Sequence, residues 1–181
     1  MQPSNRALRR FLVSFALLPL LACAAGGSAS PTKGATVTEH LAKDIVTEPY
    51  VAEQAQVRAR LDQIWDAAAR KDLDRLRSYH LYGSKFTEFK DGAPRGDASS
   101  NEAGERGFFS AITDSEVEMG DLKVNVFGDV AIATFNGAFR ARMNGEPIAA
   151  QQQATLVFVK HGGDWKITHE HFSPLGAPTG R

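Results

Sequence analysis

Two histidines two residues apart give the first hint of chemistry in this chain. His169 and His171 stand in the run Asp164-Trp165-Lys166-Ile167-Thr168-His169-Glu170-His171-Phe172-Ser173, after the turn His161-Gly162-Gly163-Asp164. Side chains two apart on a strand share a face. Trp165, Ile167, His169 and His171 are therefore expected on one face, with Lys166, Thr168 and Glu170 on the other. A strand that begins apolar and ends in two histidines runs from a core toward something polar. Three readings are open. The histidines fix strand and helix by hydrogen bonds inside a curved sheet. Or they form the polar end of a ligand cavity, with Glu88 and His80 or Tyr79 nearby. Or His-x-His presents two nitrogens to a zinc ion, which needs a third protein ligand in a catalytic site. His80 and Glu88 are the candidates for that third ligand. Neither has a motif behind it, and no metal is expected.

The other candidates have plainer readings. Trp65, Phe109 and Trp165 recur on helical or strand period and line a core or a cavity. With Tyr79 and His80 they make up the candidate ligand-binding set. Arg140 and Arg142 share one strand face and suit a solvated edge or a dimer contact. Gln151-Gln152-Gln153 is unusually polar for a central strand and suits a solvated face or a partner sheet. The glycines make turns. There is no phosphate-binding loop and no nucleophile elbow, and no cofactor is expected.

The elements that must position these residues are legible in order. Over 51–70, Val57, Leu61, Ile64, Trp65 and Ala68 form one apolar helical stripe, with Pro49 just before it. Asp72 or Asp74 can cap a short second helix carrying Leu73, Leu76 and Tyr79. Residues 84–90 read as a strand, with Phe86 and Glu88 on one face and Phe89 on the other. Ser99, Ser100 or Asn101 can cap a third helix ending near Ile112, with Phe108, Phe109 and Ile112 on its apolar face. From Ser115 the period becomes two, interrupted at Gly120-Asp121. Turns at Gly128-Asp129, Asn144-Gly145 and Gly162-Gly163 then divide a four-strand antiparallel meander. The expected class is α+β, with three helices on one face of a strongly curved, mainly antiparallel sheet.

The chain has 181 residues, 43% of them hydrophobic and 23% charged, so one globular domain with a real core is expected. Formal net charge is zero, and no basic stripe suggests nucleic acid. The single cysteine excludes an intramolecular disulfide. Arg6, Arg9 and Arg10 precede an apolar run over 11–21, too short to span a bilayer. Leu20-Leu21-Ala22-Cys23 resembles the bacterial lipobox, in which cleavage precedes a cysteine that is then lipidated. An ordinary secretory signal cut near Ala24 or Ala29 is the alternative. The expected organisation is a signal peptide over 1–22, a flexible tether over 23–48, a domain over 49–174 and a frayed tail over 175–181. The expected address is the periplasm, or the outer membrane through a lipidated Cys23, with plain secretion as the alternative.

The order of elements resembles the nuclear transport factor 2-like superfamily, and within it the SnoaL-like and ketosteroid-isomerase-like proteins. The resemblance covers 51–173. It rests on Ala67-Ala68-Ala69-Arg70-Lys71-Asp72-Leu73-Asp74-Arg75-Leu76 as a helix-break-helix opening, on Lys85-Phe86-Thr87-Glu88-Phe89 as a first strand, and on 164–173 as the closing strand. It implies a cone of helices and sheet around an apolar cavity, often a homodimer, with roles from isomerase and cyclase to scaffold. It also places the isomerases' carboxylate base on Glu88; in an enzyme built on that base, His169 or His171 would position an oxygen. The isomerases' tyrosine falls on Ile64, which has no proton to donate. The sequence therefore points to an exported, lipid-anchored binder of a small apolar or amphipathic molecule. The alternatives are a cofactor-free isomerase or dehydratase using Glu88, and a dimerisation scaffold.

Overall fold

A computed structural model describes residues 44–176. The expected signal segment with Cys23, and the expected tail beyond Gly176, lie outside the described residues. The expected α+β layout is what the chain adopts. Helix α1 (Val51–Ala69) buries Val57, Leu61, Ile64, Ala67 and Ala68, the stripe that its sequence period marks. Helix α2 (Leu73–Ser78) starts at Asp72, whose side chain accepts from the Arg75 amide at 3.1 Å. Strand β1 (Thr87–Lys90) is shorter than its sequence suggests. Helix α3 (Ala98–Ala111) is capped by Asp97 rather than by Ser99, Ser100 or Asn101. The Asp97 side chain accepts from the Ser100 amide, and the Ser100 hydroxyl accepts from the Asp97 amide, both at 2.9 Å. This closes a capping box.

The meander then runs through β2 (Ile112–Phe127), β3 (Val130–Met143), β4 (Glu146–His161) and β5 (Asp164–Pro174). The sheet order is β1-β5-β4-β3-β2, with β1 parallel to β5 and every other pair antiparallel. Asn144 and Gly145 take positive φ, as a two-residue hairpin turn requires. Helix α1 packs on β2, β3 and β5, and α3 on β1 and β2. Phe158, Leu156, Ile167 and Ile112 are among the most deeply buried side chains of the resulting core.

Irregularities in the ladders decide which residues face this core. Register shifts fall between Gly120 and Lys123 in β2, where a break is expected, and between Thr113 and Glu116. A third lies in β5. Val157 pairs with His169, but Phe158 pairs with Ile167, so Thr168 is an extra residue. An extra residue reverses the facing of everything beyond it. Trp165 and Ile167 point inward before the bulge, and Glu170 is buried after it. His169 is half-buried and His171 exposed. The expectation that both histidines share the face of Trp165 and Ile167 is therefore corrected. Glu170, expected outside, is inside.

Candidate functional site

A cavity of about 440 Å³ lies between the helices and the sheet. Ile64, Trp65 and Ala68 of α1, Phe108 and Phe109 of α3, Phe135 and Phe139 of β3, and Phe172 of β5 give it an apolar wall. Two carboxylates also line it, Glu105 from α3 and Glu170 from β5. Lys90, Asp91 and Gln152 border it as well, with Gln152 Nε2 donating to Asp91 Oδ1 at 3.0 Å.

Behind the carboxylates sits His80. Its segment is fixed by backbone bonds across β5: the Leu81 amide donates to Ile167 O at 2.7 Å and the Ile167 amide to Tyr79 O at 2.9 Å. This sets the ring beside Glu170. His80 Nε2 lies 3.1 Å from Glu170 Oε1 and 3.7 Å from Glu105 Oε1. His80 Nδ1 is 3.1 Å from Leu76 O. A carbonyl only accepts, so Nδ1 carries a proton and Nε2 meets the carboxylates. Asn101 Nδ2 donates to Glu170 Oε2 at 2.9 Å. The Tyr82 hydroxyl donates to Asn101 Oδ1 at 2.5 Å, and its ring stacks on His80 at 4.9 Å.

The charges in this cluster are set by one another. Burial alone would drive the His80 ring neutral. The hydrogen bond and charge of Glu170, with the charge of Glu105, overturn that and raise its pKa to about 9. Burial opposes ionisation of Glu170 too, but the His80 hydrogen bond and charge and the Asn101 amide hold its pKa below the usual value. Glu105 has no such direct partner. Burial and then the Glu170 charge push it up to about 7, against the opposing pull of His80 and Lys90. Burial, then the Glu105 and Glu170 charges, hold the Tyr82 hydroxyl well above its usual range. At neutral pH the cluster is an imidazolium–carboxylate pair beside a carboxyl poised to change charge. A proton acceptor works best with its pKa near the working pH.

The candidates from the sequence are distributed unevenly about this site. Trp65 and Phe109 line the cavity. The Trp65 Nε1 atom is buried without a hydrogen-bond partner among the described residues. His80 stands behind the carboxylates. Tyr79 is buried outside the cavity wall, its hydroxyl accepting from Arg75 Nε at 2.9 Å. Trp165 is buried in the core and its Nε1 donates to Gln56 Oε1 at 3.1 Å. Glu88 pairs in register with Glu170 and shares its face, but it does not line the cavity. Its carboxylate lies against Gly96, within 3.0 Å of where a β-carbon there would stand. His169 accepts or donates at Nδ1 with the Thr87 hydroxyl at 2.8 Å, and both histidines meet the edge of Phe89. They belong to the outer face. The sequence reading missed Glu105, Glu170, Asn101 and Tyr82. Asn101 and Glu105 did leave a signal. They fall at i and i+4, in line with Phe108, Phe109 and Ile112 on the apolar side of α3.

Comparison with known proteins agrees with this architecture. The family model for the SnoaL-like domain matches residues 57–177, and the chain belongs to that family. Its fold is that of the nuclear transport factor 2-like proteins. A protein of that family from Streptomyces avermitilis, proposed to be a dehydratase, superposes with a TM-score of 0.64 at 20% identity, over 70% of this chain and 98% of its own. A nuclear transport factor 2-like protein of unknown function from Pseudomonas putida gives 0.59 at 21% identity, over 74% and 95%. A proposed calcium/calmodulin-dependent kinase II association domain from Exiguobacterium sibiricum gives 0.60 at 15%, over 72% and 98%. A search of curated proteins finds no matching sequence. At these identities the solved structures bear on the fold alone.

Proposed function

We propose that this domain binds a small amphipathic molecule in its cavity, with the apolar body among the aromatic side chains and a polar group at Glu105. The observation that carries the reading is the pairing of a largely apolar cavity of about 440 Å³ with two convergent carboxylates at one place in its wall. The test is native mass spectrometry of the purified chain, in which a small molecule should be carried through and released on mild denaturation. Gly104 gives the control. It lines the cavity, and a β-carbon there would meet nothing within 4 Å. Gly104→Trp should fill the space while replacing a mid-helix glycine by a better helix former. The variant is expected to fold with undiminished stability and to carry no ligand. Equal loading of both proteins would rule the cavity out as the binding site.

One observation favours proton transfer as a second reading, namely the Glu105 carboxyl at about 7 in contact with the cavity. In this reading the base is Glu105 rather than Glu88. The molecule would then be isomerised or dehydrated rather than only held, and Glu105→Gln would abolish turnover while keeping the ligand bound. Scaffolding by a homodimer remains the reading for a chain that carries no ligand.

For the cell address we propose export with lipidation of Cys23, on the lipobox-like Leu20-Leu21-Ala22-Cys23 alone. Several acyl chains would hold the domain firmly at a membrane surface. Labelled palmitate should enter the wild-type chain and be absent from Cys23→Ala. Label that persists in the variant would place the lipid elsewhere.

A further inference from the structure

We infer that His80, Glu105 and Glu170 form a binding site for one divalent transition-metal cation, reached from the cavity through the two carboxylates. The inference stands on the cluster itself and needs no ligand in the cavity. One atom from each residue lies within 4.8 Å of the other two. Of the separations from His80 Nε2, 3.1 Å to Glu170 Oε1 lies within the spacing of ligands around a small ion, and 3.7 Å to Glu105 Oε1 lies just beyond it. Ligands at about 2.0–2.2 Å from a tetrahedral or octahedral centre are roughly 2.8–3.6 Å apart. A small movement of Glu105 would complete the set.

The surroundings hold His80 and Glu170 in a ligating pose. His80 Nδ1–H donates to Leu76 O, which leaves Nε2 as the only ring nitrogen able to bind a cation. A metal-bound histidine ordinarily has its other nitrogen tied in this way. Asn101 occupies Glu170 Oε2 at 2.9 Å, and the Tyr82 hydroxyl lies 3.5 Å from Glu105 Oε2. The second oxygen of Glu170 is thereby engaged and its first is left facing His80, while the one Tyr82 proton goes to Asn101 Oδ1 and leaves Glu105 free to move. Charge argues in the same direction. The buried Glu170 carboxylate and the partly exposed Glu105 carboxylate converge on one His80 Nε2 proton. A dication bound in place of that proton would neutralise both. One nitrogen and two oxygens suit Zn²⁺, Mn²⁺ or Fe²⁺ rather than a soft ion. Three protein ligands also leave positions for water or a ligand's oxygen on the cavity side. The rival pair, His169 and His171, lies on the outer face with His169 Nδ1 already engaged by Thr87.

The full chain, stripped with chelator, should be titrated calorimetrically with Zn²⁺ and with Mn²⁺, and with Co²⁺ for its visible spectrum. The inference expects one ion per chain and cobalt bands of a low-coordinate nitrogen–oxygen site. Glu105→Gln should weaken binding by roughly a hundredfold or more, since even outer-shell changes cost about 10–100-fold. This variant removes a partly exposed carboxyl that burial already disfavours, so it is expected to fold. His169→Ala/His171→Ala should bind as wild type. Absence of binding at millimolar Zn²⁺ and Mn²⁺ would overturn the inference. So would affinity unchanged in Glu105→Gln, or affinity lost in the double histidine variant. None of these results bears on ligand carried in the cavity, which native mass spectrometry reads separately.

Discussion

Glu170→Gln is expected to lower the stability of the domain by about 3–5 kcal/mol near pH 6, the cost of breaking a buried ion pair from one side. The substitution is close to isosteric, so packing is not the cause. It leaves the His80 ring, whose side chain is wholly enclosed, without the carboxylate that holds its charge. The Asn101 amide keeps an acceptor, so the loss falls on the imidazolium. His80→Gln/Glu170→Gln should recover part of the loss, because neither variant side chain then leaves a charge unpaired. Chemical denaturation of the two singles and the double gives the coupling directly. Single losses under about 1 kcal/mol, adding in the double, would mean the pair contributes nothing of the kind described.

The second expectation concerns pH. A folded-state pKa raised above its unfolded value gives stability that is present below the unfolded value and lost as the pH rises through the folded one. His80, raised from 6.5 to about 9, therefore stabilises fully below 6.5 and loses that contribution between 6.5 and 9. At about 1.4 kcal/mol per pH unit the loss is on the order of 3 kcal/mol. Glu105, raised from 4.5 to about 7, acts in the same direction at lower pH, because ionising it in the folded state is unfavourable. Stability thus falls as pH rises from 4.5 to 7. Glu170 acts oppositely. Its lowered pKa gives stability present above 4.5 and lost as the pH falls through the folded value. The domain should be most stable in mild acid and decline toward pH 9. Denaturant midpoints across that range measure it. In Glu105→Gln the decline between pH 4.5 and 6.5 should vanish, and the variant should be more stable than wild type at neutral pH. A carboxyl kept where it costs stability is better explained by a task at the cavity than by the fold.

The regular parts of the structure were legible because local chemistry sets them. The Val57–Leu61–Ile64–Ala68 stripe places α1, and Asn144-Gly145 with positive φ at both positions places a hairpin. What could not be read was decided by pairing across the sheet. One extra residue at Thr168 exchanges the faces of His169, Glu170 and His171, and strict alternation cannot show where a ladder slips. The parallel pairing of β1 with β5 and the bridge of His80 to Ile167 join segments about ninety residues apart. They alone bring His80 to Glu170. Sequence pattern held His80 as a candidate but gave it no partner. Glu105 was the part that could have been found, since a charged residue on the apolar side of α3 is a local contradiction.

The central claim is that the cavity ends in a pair charged at neutral pH beside a carboxyl that changes charge near neutral pH. The most direct measurement is a titration of the glutamate side-chain carboxyl carbons by nuclear magnetic resonance, with Glu105→Gln and Glu170→Gln to assign the two signals. The account predicts that Glu105 titrates near 7 and that Glu170 stays ionised from neutral pH to below 4.5. Two carboxyls titrating together near 4.5, as in water, would contradict it.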